Sequence, residues 1–143
     1  MDSWKRSFVD KLNQAQAHCA RRFDDAMEKS VLGAYEDMTP FLRDNGFKVG
    51  MPLREQGRRS FKFELAENAY LLMIMRFTSV GEFEVRTETF VPGCDPILRK
   101  SVARIADVSE AWTEQQFRGG LDSFVEMLSG ARPAPVEEEL ALV

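Results

Sequence analysis

Cysteine and histidine are almost absent from this chain. Its 143 residues include two cysteines, Cys19 and Cys94, and one histidine, His18. Two thiols cannot build the disulfide framework of a small secreted scaffold, so the chain reads as reduced and cytoplasmic. One imidazole excludes zinc sites that need two or more, and any Cys–His nucleophile pair would depend on His18 alone. His18 adjoins Cys19, but neighbours on a helix point about 100° apart and do not face each other. No CxxC, P-loop, GxGxxG or GxSxG spacing occurs, so neither a metal nor a cofactor is implied. Long apolar runs are missing too: nothing approaches the ~18 consecutive apolar residues of a membrane span. Met1-Asp2-Ser3-Trp4-Lys5-Arg6 lacks the apolar stretch of a signal peptide. There is no excess of positive charge. With 19 basic and 23 acidic side chains the net charge is −4, which disfavours nonspecific nucleic-acid binding, where many cations must meet phosphates.

What is present suits one globular domain. Hydrophobic residues make up 44% of the chain and charged residues 29%, and a chain of this length buries roughly 70% of its unfolded surface. The strongest pattern is Tyr70-Leu71-Leu72-Met73-Ile74-Met75-Arg76-Phe77-Thr78. Leu71, Met73, Met75 and Phe77 fall on one alternating face, and Tyr70, Leu72 and Ile74 on the other. Apolar residues on both sides of a period-two pattern mark a central strand covered on both faces. Before it, Phe61, Phe63 and Leu65 alternate with Lys62 and Glu64. After it, Phe83, Val85, Thr87, Thr89 and Val91 alternate with Glu82, Glu84, Arg86, Glu88 and Phe90. Short gaps join these segments as antiparallel hairpins. Phe47, Val49, Met51 and Leu53 suggest an earlier strand, which Pro52 ends or keeps at an edge. Residues 54–60 read as a polar loop carrying Arg54, Arg58 and Arg59.

Loop length decides the faces, because a slip of one residue flips every side chain. A three-residue loop Ser79-Val80-Gly81, with Gly81 left-handed, sets Phe77 against Phe83, Met75 against Val85 and Arg76 against Glu84. A two-residue loop would set Phe77 against Glu84. The first register pairs apolar with apolar and opposite charges with each other, so it is preferred. The same logic makes Ala66-Glu67-Asn68 a loop with Asn68 left-handed, and sets Phe63 against Leu71 and Phe61 against Met73. One sheet face is then almost wholly apolar and should carry the helices. The other is mixed, with Tyr70, Leu72, Ile74 and Phe90 among Lys62, Glu64, Arg76, Glu84, Arg86 and Glu88.

An apolar stripe at steps of three and four, from Trp4 through Phe8, Leu12, Cys19, Phe23, Met27 and Val31 to Tyr35, predicts one long helix over residues 3–38. Ser3 is its candidate cap, and Pro40 must follow its end or open a new turn. Such a helix would reach roughly 50 Å, longer than its own sheet is wide, so it must bend or project toward a partner. Asp24 and Glu28 read as part of its solvated face, answered by Arg21 and Lys29. After Pro92-Gly93, Asp95-Pro96 resembles a helix start, and Leu98, Val102, Ile105 and Ala106 fit a helix, with a strand as the alternative. Ser109 caps a last helix whose stripe is Trp112, Phe117, Leu121, Phe124, Val125 and Leu128, weakened by Gly119-Gly120. Residues 131–143, with Pro133, Pro135 and Glu137-Glu138-Glu139, read as a mobile acidic tail beside a single domain over 1–130. The fold class is therefore α+β: a long N-terminal helix, a four-stranded antiparallel meander, and one or two C-terminal helices packed on the sheet.

The mixed face carries the functional expectation. An apolar strip rimmed by charge marks an interface or a ligand surface. The contact set is Tyr70, Leu72, Ile74, Arg76, Glu84, Arg86 and Phe90. The function it implies is non-enzymatic protein binding by an adaptor or chaperone-like domain, as a homodimer or with another protein, away from membranes and nucleic acid. The rival is an enzyme or small-ligand binder with an acid–base cluster of Glu64, Glu84 and Arg residues, which requires a deep pocket beside Tyr70. A lesser candidate is an anion site at Arg54, Arg58 and Arg59.

Overall fold

The N-terminal stripe folds as one continuous helical rod. The structure, a computed structural model that describes residues 2–130, contains α1 (Ser3–Ala26), a π-helical turn (Met27–Val31) and α2 (Leu32–Asp44) without a break. Five strands follow: β1 (Leu53–Glu55), β2 (Arg58–Ala66), β3 (Ala69–Phe77), β4 (Glu82–Phe90) and β5 (Ile97–Arg104). A 3₁₀ turn (Ile105–Asp107) then leads into α3 (Glu110–Leu128). The strands form one antiparallel meander in the order β1-β2-β3-β4-β5, one strand more than the alternation suggests. Among the described residues no helix is long and apolar enough to cross a membrane.

The π turn has a cause in the spacing. Phe23, Met27, Val31 and Tyr35 are all buried and recur every four residues. On an α-helix of 3.6 residues per turn, three such steps would carry the stripe about 120° off the sheet. A turn with i→i+5 bonds holds more than four residues and keeps the stripe on one side. Asp2 rather than Ser3 caps the helix, accepting the Trp4 N–H at 3.0 Å. The helix also runs through Pro40 instead of stopping before it. Pro40 is exposed, so the Glu36 carbonyl that loses its i+4 donor faces water. Tyr35 and Leu42, on either side of Pro40, stay buried and hold the segment down. Gly46 at φ 93° then ends it.

The apolar sheet face carries the helices as its pattern requires. Phe61, Phe63, Leu71, Met73, Met75, Phe83 and Val85 are buried, with Leu65 and Phe77 partly so. The register Phe77↔Phe83, Met75↔Val85, Arg76↔Glu84, Phe63↔Leu71 and Phe61↔Met73 holds. The turn geometry behind it differs. Neither Gly81 nor Asn68 is left-handed. Between β2 and β3 the pairing shifts between Glu64 and Ala66, and Ala66 pairs Ala69. A bulge at Leu65 absorbs the odd residue, so a two-residue turn keeps the same register.

Residues 53–60 are a hairpin, not a loop. Leu53 pairs Ser60, Arg54 pairs Arg59 and Glu55 pairs Arg58 around Gln56-Gly57, with Gly57 at φ 77°. Residues 47–52 form no strand, contributing one bridge, Lys48↔Glu64. Asp95-Pro96 opens β5, not a helix, so the stretch 97–104 takes the strand alternative. In α3, Ser109 accepts the Trp112 N–H at 3.0 Å as expected of a cap. The inward face is Thr113, Phe117, Leu121, Phe124 and Met127, while Val125 and Leu128 lie exposed beside it. The acidic tail at 131–143 lies outside the described residues.

Gly119 and Gly120 sit mid-helix in different surroundings. A Cβ on Gly120 would stand 3.1 Å from a Leu71 methyl, whereas one on Gly119 would meet nothing within 4 Å. Gly119→Ala should therefore gain the full helix preference of alanine, about 1 kcal/mol. Gly120→Ala must push on the fully buried Leu71 and should gain none of it. Urea midpoints measured on the two variants check this, and equal stabilisation would contradict it.

Candidate functional site

The second sheet face is where the structure brings the sequence-selected residues together. In successive rows across the sheet stand Glu64–Tyr70–Phe90, Lys62–Leu72–Glu88–Leu98, Ser60–Ile74–Arg86–Lys100 and Arg58–Arg76–Glu84–Val102. The helices pack on the opposite face, where α3 reaches Leu71 and Met73. Among the described residues no helix covers the rows of this second face. Tyr70, Leu72, Ile74 and Phe90 are half-buried by one another, and Val102 at the edge is 64% exposed. Leu98 and Val102 extend the strip beyond what the four-strand reading includes, because β5 belongs to the same sheet. The central strand is thus covered on one face only.

Most charged groups of this face are paired within it. Glu84 accepts from Arg76 at 3.4 Å and from Lys100 at 3.3 Å, Arg86 meets Glu88 at 2.9 Å, and Lys62 meets Glu64 at 3.5 Å. The Tyr70 ring stacks on Phe90 with centroids 4.7 Å apart, and the Lys62 ammonium stands 4.4 Å from its centre. Exposed pairs of this kind contribute little stability. They leave a surface of mixed sign in which Glu64, Glu84 and Glu88 each stand beside a cation. The clefts flanking α3, one against α2 and one against β4 and β5, are lined by helix-side residues. Tyr70, Glu64 and Glu84 line neither.

The arginines of the supposed loop have a different task. Arg59 points to the helix side and is 6% exposed. It reaches Asp24 at 3.2 Å and Glu28 at 3.2 Å and also donates to the backbone carbonyls of Glu55 and Arg58. Arg54 takes the other side of Glu28 at 2.6 Å, and Asp24 accepts the Gly57 N–H at 3.0 Å. Asp24 is therefore half-buried and not part of a solvated face, while Glu28 stays exposed and is paired all the same. They lie one turn apart and clamp the helix to the β1–β2 hairpin, so neither Arg54 nor Arg59 is free to hold an anion. The signal was present in sequence as an acidic pair at four-residue spacing and an Arg-rich turn. Nothing local tied the two together across thirty-odd positions.

A second apolar surface lies on the projecting part of α1. Every residue from 2 to 18 is exposed. Trp4 and Phe8 stack at 5.3 Å while remaining 66% and 49% exposed, and Val9 and Leu12 continue the strip. His18 is an exposed helix residue, Cys19 is half-buried and Cys94 sits in the exposed turn after β4, both as free thiols. On the core side, the Tyr35 hydroxyl donates to the Gly50 carbonyl at 2.7 Å. Burial pushes that phenol up to about 12, an effect Arg43 partly opposes, so it remains a proton donor. No family model matches the chain, and no curated protein or solved structure matches it.

Proposed function

We propose that this chain is a non-enzymatic protein-binding domain, adaptor- or chaperone-like, that pairs with a second copy of itself across the open sheet face. The observation that carries the reading is the strip of Tyr70, Leu72, Ile74 and Phe90, half-buried and lying on the sheet face opposite α3. Three strands of nine residues, one of eight and one of three, at about 4.8 Å spacing and about 3.3 Å rise, make a face of roughly 600 Å². That approaches the ~800 Å² per partner of a standard interface, so pairing would use nearly the whole face. Its rim alternates Arg76, Glu84, Lys100, Arg86 and Glu88, and a surface of both signs can meet its own copy about a two-fold axis without net repulsion. The stripe Trp4–Phe8–Leu12 on α1 offers the partner a second contact.

The double variant Leu72→Asp, Ile74→Asp tests the reading. Light scattering at tens of micromolar should give a dimer mass for the natural sequence and a monomer mass for the variant, with matching far-ultraviolet spectra. An unfolded variant would make these residues core and remove the interface. A monomeric natural chain would remove the second copy as the occupant.

A further inference from the structure

The helix-side face of the sheet is not uniformly apolar. Its rows run Phe63–Leu71–Thr89–Ile97 and Phe61–Met73–Thr87–Arg99, so the pattern turns polar where α3 crosses β4 and β5. α3 answers with small and polar residues. Gly120 lets the helix lie so close to the sheet that a Cβ there would stand 3.1 Å from a Leu71 methyl, and beside it Gly119 adds no bulk. Between them lies a cavity of about 340 Å³, within the ~300–1,000 Å³ of small-molecule sites. Its polar wall is Thr87, Thr89, Arg99, Gln115, Gln116 and Ser123, and its apolar wall is Met73, Ile97 and Met127.

Arg99 is the unusual member. Arg76, Arg86, Lys100 and Arg104 each have a carboxylate within 3.4 Å. Arg99 is half-buried and has no carboxylate partner among the described residues. Thr89 is 4% exposed, yet among the described residues no buried side-chain polar atom lacks a hydrogen-bond partner. Its hydroxyl has none among the described residues, so it opens to the cavity. A guanidinium, hydroxyls and carboxamides converging beside methionine and isoleucine suit a ligand with one anionic end and one apolar end.

We propose that this cavity binds a small organic carboxylate, with Arg99 pairing its anionic end and Met73, Ile97 and Met127 taking its apolar body. The site lies on the face opposite the proposed interface, and it stands whether or not the chain dimerises. Titration of the full chain with benzoate, followed by ¹H–¹⁵N shifts, should give saturable changes at Thr87, Thr89, Gly119 and Gly120. Benzamide, the neutral isostere, should bind at least ten-fold more weakly. Arg99→Gln should lose ten-fold or more in benzoate affinity, while Arg22→Gln on exposed α1 changes nothing. Ser123→Leu, which fills the cavity from the helix and keeps the Arg99 charge, should abolish the shifts. Replacing Glu137, Glu138 and Glu139 with glutamine should leave affinity unchanged. A several-fold gain would mean that the chain's own carboxylates hold Arg99 and would overturn the free-ligand site. Benzoate shifts that do not saturate, or that survive Arg99→Gln, would also overturn it.

Discussion

Phe117→Ala is expected to lower unfolding stability by about 4 kcal/mol, the range for deleting a buried aromatic side chain from a close-packed core. Phe117 is fully buried at the point where three elements meet. Its ring lies 5.4 Å from Phe61 and 5.4 Å from Phe63 on β2, and 6.0 Å from Tyr35 on α2. Tyr35 in turn meets Phe61 in a tilted contact at 5.0 Å. Removing Phe117 withdraws one wall from all of these rings together. Rigid sheet residues on one side and the Gly120–Leu71 contact on the other limit how far α3 can settle into the space, so the cavity term is not relieved. A domain of this size has roughly 5–15 kcal/mol in total, so a loss of that size should appear as a large drop in urea midpoint. Phe41→Ala is the matched control. It deletes the same ring from an exposed position on α2, and its midpoint should stay within experimental error. A loss below about 1.5 kcal/mol at Phe117 would show that α3 does collapse onto the sheet.

The same packing explains which parts of the fold could be read from residues alone. β2, β3 and β4 were legible because one face of each is apolar and buried, so alternation is enforced by burial itself. Their register was legible because only one pairing sets Phe77 on Phe83 and Met75 on Val85. The turns were not: a bulge at Leu65 and a three-residue loop produce the same faces, and the pattern of faces cannot separate them. β5 hid for a stronger reason. Its helix side is Ile97, Arg99, Ser101 and Ala103, of which Ile97 and Arg99 line the cavity, and its other side is Leu98, Lys100, Val102 and Arg104, on the open face. Neither side is apolar throughout, so no period-two signal survives, and Leu98, Val102 and Ile105 fit helical spacing by coincidence. Pro40 misled in the opposite way. A proline ends most helices, but here buried residues on both sides keep the chain helical past it.

The candidate site divides along the same line. The mixed face was legible in full on β3 and β4, since Tyr70, Leu72, Ile74 and Phe90 follow from the register. Its extension through Leu98 and Val102 had to wait for β5. Arg99 carries no signal of its own in the sequence, because its place beside the cavity comes from the row it shares with Thr87 and Met73.

Arg59→Met should show how the hairpin is held, with an expected loss of about 3 kcal/mol. The guanidinium is nearly buried between Asp24 and Glu28, and removing one partner of a buried ion pair leaves the other carboxylate uncompensated, a cost of roughly 3–5 kcal/mol when burial is complete. Here the carboxylates keep some contact with water, and Arg54 still holds Glu28, which places the expectation at the lower end. If this were an ordinary surface pair the loss would stay below about 1 kcal/mol. Asp24→Asn separates the charge from the turn contact, since its side-chain oxygen can still accept the Gly57 N–H. In a double-mutant cycle the two changes should couple by more than about 1 kcal/mol, because once Arg59 is gone the Asp24 charge becomes a liability that the amide removes. Additive effects would mean that the arginine acts through its bonds to the Glu55 and Arg58 carbonyls alone. Coupling would establish that the helix is tied to the sheet by charge at the hairpin and by aromatic packing further along. Amide exchange in Arg59→Met should then rise first at Leu53–Glu55, the three-residue edge strand that has the fewest other bonds to lose.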